Sequence, residues 1–419
     1  MRLSEHERPT RTHFAILAMA WAGWLFDFYD LILYTFLLGP ITQELGFGRG
    51  AHAWILGCSL GATAVGGLVF GALADRYGRK PVLQWTILTY SAGAFACGLA
   101  PDASWLLAAR VLTGLGVGGE WATGHALVSE VFPPRLRGRF GAVMQTGAPL
   151  GVGLAAIVGS FVAPQIGWRA TFMISALPAL MVTAIRRWVP ESDIWIESHA
   201  AAAERPSPAA RISEIFRGHL LGLTLRCFAL TLCNMSSYWL TFSWFPTYLR
   251  EDRGISTAKS GMWVLLIVAG ELAGYLTFGA VSDRLGRKPA FSLYAGMMGL
   301  GLLAVTLGWD LIAASPALLL GSMAIVGIGT GTWSSFGPFL AELFPTRVRN
   351  TAMGTIYNGA RGVQFLTPMV VHAIAVEHRL AGGIAIAAAF CFAAATLVWT
   401  LPETRGRVLA PQDRTGVPA

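Results

Sequence analysis

The chain has 419 residues, of which 54% are hydrophobic and only 13% charged, with 49 glycines and 15 tryptophans. Soluble domains carry about 25% charged residues, so this composition excludes an ordinary water-soluble fold and describes a polytopic membrane protein. The net charge of +8 raises nucleic acid or acidic lipid as partners, a question that the placement of the cations decides.

In chain order, apolar stretches of about 20 residues, each long enough to cross a hydrocarbon core of about 30 Å, lie near 14–39, 52–74, 81–100, 104–128, 139–162, 168–189, 220–248, 260–281, 289–308, 313–338, 351–374 and 380–401. An all-α protein with twelve transmembrane helices is predicted. With both termini placed in the cytoplasm, 22 of the 31 Lys and Arg residues fall on the cytoplasmic side, six outside and three within spans. That is the positive-inside distribution, and it sets the expected orientation. The basic balance is therefore a topology signal and requires no nucleic-acid partner. The N-terminal MRLSEHERPTRTH has no separate signal region ahead of the first span and is expected to be retained. Cys58, Cys97, Cys227, Cys233 and Cys391 all fall in apolar spans, and their odd number suits packing better than disulfides.

The sequence is written twice. GALADRYGRKP at 71–81 returns as GAVSDRLGRKP at 279–289, SEVFPPRLR at 129–137 as AELFPTRVR at 341–349, and VPES at 189–192 as LPET at 401–404. Fixed-offset repetition of this kind marks duplicated architecture. Two pseudo-symmetric six-helix bundles are expected, over 1–189 and 220–419 with a short tail. They are joined by the polar segment 190–219, read as a cytoplasmic tether with some helical character.

Six plus six spans in parallel repeat resemble the major facilitator superfamily, and the quoted motifs make the resemblance specific. GALADRYGRK resembles the family's signature between spans 2 and 3, with its second copy between spans 8 and 9. Arg110 in RVLTGLGVGGEW resembles the basic residue of the span-4 motif. PESD and PETRG resemble the ends of the two halves in sugar-porter-like and organic-acid branches, although Asp193 stands where sugar porters have Pro-Arg. FDFYD, GVGGEW and YNGARG are most similar to the branch of sialate and lactate/pyruvate proton symporters. The resemblance covers essentially the whole chain. It implies a monomer in the inner membrane whose substrate binds near the midplane, between halves that rock around it.

Polar residues deep inside spans are then the ones to collect. Gly23, Asp27, Asp30 and Tyr34 follow i, i+4, i+7, i+11 and share one stripe of the first span. A carboxylate at a bilayer centre costs about 2.5–3.5 kcal/mol even on lenient scales, and two on one face repel unless a cation is near. Arg110 lies at comparable depth on span 4. The resemblance supports the pair, because sugar-porter-like symporters join a span-1 aspartate, in a context like Tyr29-Asp30, to the span-4 arginine. Asp30 is the first expectation for the proton site and Asp27 the second, with Glu120 and Glu271 as possible relays. The competing structural reading of Asp30 and Arg110 is a static ion pair. His125, near the cytoplasmic end of its span, is read as structural and satisfied by water.

On span 11, Tyr357, Arg361 and Gln364 recur at i, i+4, i+7 with Asn358 beside them. A planar guanidinium there is suited to bidentate capture of a substrate carboxylate, unless a buried acid such as Glu271 satisfies it. Span 7 offers Asn234, Ser237, Tyr238 and Thr241, and span 10 offers Trp333, Ser334 and Ser335. Trp121, Gln145, Trp239 and Trp244 are weaker candidates. Two cytoplasmic groups, Asp75, Arg76, Arg79 and Lys80 with Glu130, and Asp283, Arg284, Arg287 and Lys288 with Glu342, have the sign pattern of ion-pair latches. They are expected to be exposed and individually weak. By resemblance they hold the outward-facing state.

The chain contains no phosphate-binding GxxxxGK[ST] loop, no HExxH and no clustered Cys/His ligands, so neither catalysis, ATP, a metal nor another cofactor is expected. The reading is a symporter importing a small monocarboxylate such as lactate or pyruvate with a proton. Sialic or aromatic acid import, sugar symport and proton-driven drug export stay open, as does a sensor that binds without transporting.

Overall fold

The computed structural model describes residues 3–6, 8–47, 49–200, 207–255 and 257–409. Among these there is no strand. The helices are α1 (Arg11–Leu45), α2 (Arg49–Tyr77), α3 (Arg79–Gly98), α4 (Ala103–Val131), α5 (Arg137–Gln145), α6 (Gly147–Ile157), α7 (Ala163–Ile174), α8 (Met181–Trp188), α9 (Asp193–Ala200), α10 (Pro208–Ile215), α11 (Gly218–Glu251), α12 (Thr257–Leu285), α13 (Arg287–Thr306), α14 (Trp309–Ile312), α15 (Pro316–Gly329), α16 (Trp333–Leu343), α17 (Arg349–Val363) and α18 (Thr367–Leu397). By length and composition alone, six helical stretches among the described residues are apolar enough to cross a membrane.

The breaks have local causes. Gly167, at φ 81°, interrupts α7 and turns the chain between the fifth and sixth spans. Asp102 caps α4 by accepting from Trp105 N at 2.8 Å. Helix α18 continues through 375–379, where a loop was expected, and no proline there forces a break.

Packing groups the chain into two compact units. The first is drawn from Met1–Thr224, Gly337–Gly362 and Gly406–Ala419, and the second from Leu225–Phe336 and Val363–Arg405. These are not the repeat halves, because α17 lies against α2 and α4. Gly67 and Gly71 permit the approach: a Cβ at either would collide with the backbone of α17, at Gly354 and Asn350 respectively. In the first unit α4 packs on α2 and α3, and α1 on α6; in the second, α15 packs on α12 and α13. All five cysteines are free thiols, buried or half-buried.

The duplicated VPES and LPET endings acquire a physical role. Glu191 accepts from Arg79 N and Lys80 N at 3.0 and 3.1 Å. Glu403 accepts from Arg287 N and Lys288 N at 2.9 and 3.0 Å. Each carboxylate thus caps the helix that follows a Gly-Arg-Lys turn, where bare N–H groups and the helix dipole favour an anion. Gly78 and Gly286, at φ 107° and 108°, set up the turns. Glu191→Gln is expected to cost about 1 kcal/mol of stability, the usual worth of such a cap. Gly78→Ala should cost more, since a Cβ there meets the Glu191 carboxylate at a positive φ. Thermal unfolding midpoints in detergent would check both.

The described residues of the tether include two short helices, α9 and α10. Trp195 on α9 donates to Asp75 O at 3.2 Å, Asp193 accepts from Leu3 N at 3.0 Å, and Arg211 on α10 donates to Arg347 O.

Candidate functional site

The first unit contains a buried constellation drawn from α1, α4, α5 and α17. Arg110 donates to Asp30 at 2.7 Å, with side chains only 1% and 2% exposed. The guanidinium also lies 5.2 Å from the ring centre of Tyr34. Asp30 therefore has its cation, and the pair is neutral where charge is expensive.

Asp27 has none at hydrogen-bonding distance. It is fully buried, as is Glu120 on α4, and neither carboxyl has a donor among the described residues. The two face each other carboxyl to carboxyl. Such a contact is repulsive with both groups ionised and becomes a hydrogen bond once one is protonated. Gly23, one turn before Asp27, makes room for it, because a Cβ there would collide with Glu120 Oε1.

Arg361 on α17 is 2% exposed, and its Nη1 and Nη2 have no hydrogen-bond partner. Its guanidinium carbon lies 5.1 Å from the ring centre of Phe28 and 6.0 Å from that of Trp24, and it is in electrostatic reach of Asp27. Tyr357, one turn earlier, stacks on Trp121 with centroids 3.6 Å apart and planes 12° apart. A desolvated cation with two open donors is thus framed by aromatic surface. Its donor set suits a planar oxyanion, and the rings suit an apolar or planar body attached to it.

The other expected residues fall around this centre or in the second unit. Asn358 donates to Gly118 O at 2.7 Å, so its amide nitrogen helps hold α17 to α4. Gln145 is buried beside Tyr357 and His125. His125 is itself fully buried against Trp121, which corrects the expectation that water satisfies it near the membrane surface. In the second unit, Asn234 accepts from Thr332 at 2.8 Å. Ser237 and Thr241 turn their hydroxyls back onto Asn234 O and Ser237 O of their own helix. Tyr238 and Tyr275 both donate to Glu271, packing Trp333 edge-on to Tyr238. Ser334 donates to Tyr275 O at 3.3 Å, and Gln364 donates to Ser236 at 3.4 Å. Ser335 is buried with its hydroxyl unpartnered. The side chain of Trp244 lies outside the described residues.

Asp75, Arg79, Glu130, Arg287 and Glu342 are buried, which corrects the reading of the cytoplasmic groups as exposed pairs. Arg79 donates to both oxygens of Glu130, Nη2 at 2.9 Å and Nε at 3.1 Å, with both side chains 0% exposed. Arg349 donates to the same Glu130. Asp75 accepts from Asn350 N at 3.1 Å and Thr351 N at 2.8 Å, at the N-terminus of α17. Glu342 pairs with Arg137 at 2.9 Å, and Arg287 with Asp283 at 2.9 Å. Arg76 lies over Tyr77, and Arg284 is exposed.

Sequence reasoning did not single out Trp24, Phe28, Arg137, Arg349 or the two capping glutamates. The repeats LR at 136–137 and VR at 348–349 carried the signal for both arginines.

The sequence profile of the Major Facilitator Superfamily matches residues 19–277 and again 261–418. The sialic acid transporter NanX of Escherichia coli (strain K12) is 31% identical over 348 residues, covering 83% of this chain and 84% of that protein. The niacin transporter NiaP of Acinetobacter baylyi is 28% identical over 393 residues, with 87% and 88% covered. Among solved structures, the proton:xylose symporter XylE bound to 6-bromo-6-deoxy-D-glucose superposes with a TM-score of 0.77 at 20% identity, over 95% of this chain and 97% of that one, a likeness of fold.

Proposed function

The chain belongs to the Major Facilitator Superfamily and is a transporter, not an enzyme, and from that premise we propose that it imports an organic acid together with a proton. The observation that carries this reading is Arg361, a buried guanidinium with two unpartnered nitrogens. A permanent cation held out of water needs a counter-ion, and a substrate carboxylate supplies one in bidentate geometry. Neutral sugars and apolar drugs would leave both donors without a charged acceptor.

The substrate is of the sialic or aromatic acid type. Lactate or pyruvate, the acids first expected from sequence, would fill the oxyanion position and leave Trp24, Phe28, Trp121 and Tyr357 without contact. Relatives named for sialic acid and niacin support a carboxylate on a larger body. The protein acts as a monomer in the inner membrane with both termini in the cytoplasm, by alternating access, and one proton per monoanion makes the cycle electroneutral. Asp75, Glu130 and their arginines latch one of the two states.

The test is uptake of labelled niacin, sialic acid, lactate and pyruvate into proteoliposomes with an inward proton gradient. Accumulation of niacin or sialic acid well above lactate is expected. Preferential accumulation of xylose, or efflux of a cationic dye with no acid uptake, would refute it.

A further inference from the structure

We propose that Asp27 and Glu120 form one shared proton-binding pair, and that a substrate carboxylate at Arg361 drives a proton onto it by taking over the guanidinium that Asp27 faces. This rests on Arg361 as the carboxylate site.

Charge balance in the buried cluster leads there. Asp30 and Arg110 neutralise each other at 2.7 Å and leave nothing to compensate. What remains is two carboxyls in contact, without donors, and one guanidinium with two open nitrogens. The titratable and charged groups facing the pair are Asp30 on α1, Tyr90 on α3 and Arg361 on α17, with Tyr357 beside Arg361. With both carboxyls ionised, Asp27, Glu120 and Arg361 sum to −1 out of reach of water. A single proton shared across the carboxyl contact brings the sum to zero. When a substrate carboxylate joins Arg361 the sum returns to −1, and a second proton, drawn from water on the open side, restores neutrality by converting the remaining carboxylate to a carboxyl. One proton enters per carboxylate, with no bond to substrate made or broken. The pair titrates as a unit, since each carboxyl is the other's neighbour. Gly23 keeps the unit together by letting Glu120 lie over α1.

The bookkeeping makes an unusual demand on variants. Asp27→Asn and Glu120→Gln each leave one acid, which still balances Arg361 and still protonates when substrate arrives. Only Asp27→Asn/Glu120→Gln together leaves nothing to protonate. Purified full-length protein in lightly buffered detergent, with a pH indicator, is given niacin or sialic acid in turn. The parent and both single variants are expected to take up about one proton per acid bound, and affinity should fall about tenfold per pH unit in the linked range. The double variant should bind acid with no proton uptake and with affinity flat in pH.

Two results would overturn the pair. They are one proton per acid in the double variant, which would move the site to Asp30 or Glu271, and loss of coupling in either single variant, which would make one carboxyl the whole site. Should the double variant not fold, infrared difference spectra on acid binding decide: a new protonated-carboxyl band must shift in each single variant, and a band unmoved by both refutes the pair. Arg361→Ala separates the two readings, because acid binding that survives it removes the carboxylate site itself, whatever the pair does.

Discussion

Arg361→Ala weakens binding of the transported acid by about 100-fold or more, as expected for a site built on this side chain. Hydrogen bonds to charged groups are worth about 1.5–3 kcal/mol each, and a bidentate carboxylate loses two of them, while each 1.4 kcal/mol is about tenfold in affinity. Arg361→Lys keeps the charge but not the planar fork, so it should recover only part of the loss and remain about tenfold weaker than the parent. Stability gives the control. Because the two open nitrogens of Arg361 make no hydrogen bond, and the Asp27–Glu120 pair can take up a second proton in place of the lost cation, the thermal midpoint should not fall. Titration calorimetry with niacin and sialic acid, alongside the unfolding midpoint, separates lost binding from lost protein.

Glu130→Gln is expected to have the largest effect on stability. Glu130 is the carboxylate for two buried arginines, Arg79 and Arg349, and removing one partner of a buried pair costs about 3–5 kcal/mol because the remaining charge stays buried. The pair of Arg169 with Glu44, 2.9 Å apart but 35% and 50% exposed, offers the comparison. Glu44→Gln should change stability far less than Glu130→Gln, since solvent already screens that pair. Denaturation midpoints of the two variants, measured side by side, would show whether burial sets the strength of the latch. Equal losses would contradict it.

The contrast between these pairs also shows what the amino-acid order reveals. Hydropathy, cation placement and the duplicated motifs point to twelve spans in two repeats, because membrane insertion is a local property of each segment. The stripe of Asp27 and Asp30, and the isolation of Arg361 in an apolar span, are legible for the same reason. Which acid meets Arg110 depended only on depth along two antiparallel helices, a quantity that spacing carries.

Contacts that depend on helix rotation and close approach are another matter. Glu120 follows Gly-Val-Gly-Gly, a run whose small residues give no stripe from which to tell that its carboxyl turns to Gly23 and Asp27. Trp24 and Phe28 lie a residue away from the polar stripe, and only the approach of α17 across Gly67 and Gly71 makes them neighbours of Arg361. The capping of α3 by Glu191 spans a separation in sequence over which no periodicity acts. Burial of the latch was hidden because charged residues after a span read as solvated loop, whereas α17 covers them.

The central claim is that acid and proton move together through this protein. The most direct measurement traps a pH dye inside proteoliposomes with no initial proton gradient and adds sialic acid, which crosses bare lipid poorly, to the outside. The account predicts interior acidification that tracks labelled acid uptake at about one proton per molecule, without a developing membrane potential, and is absent from Arg361→Ala vesicles. Sialic acid entering at an unchanged interior pH, or carrying a sustained current, would contradict it.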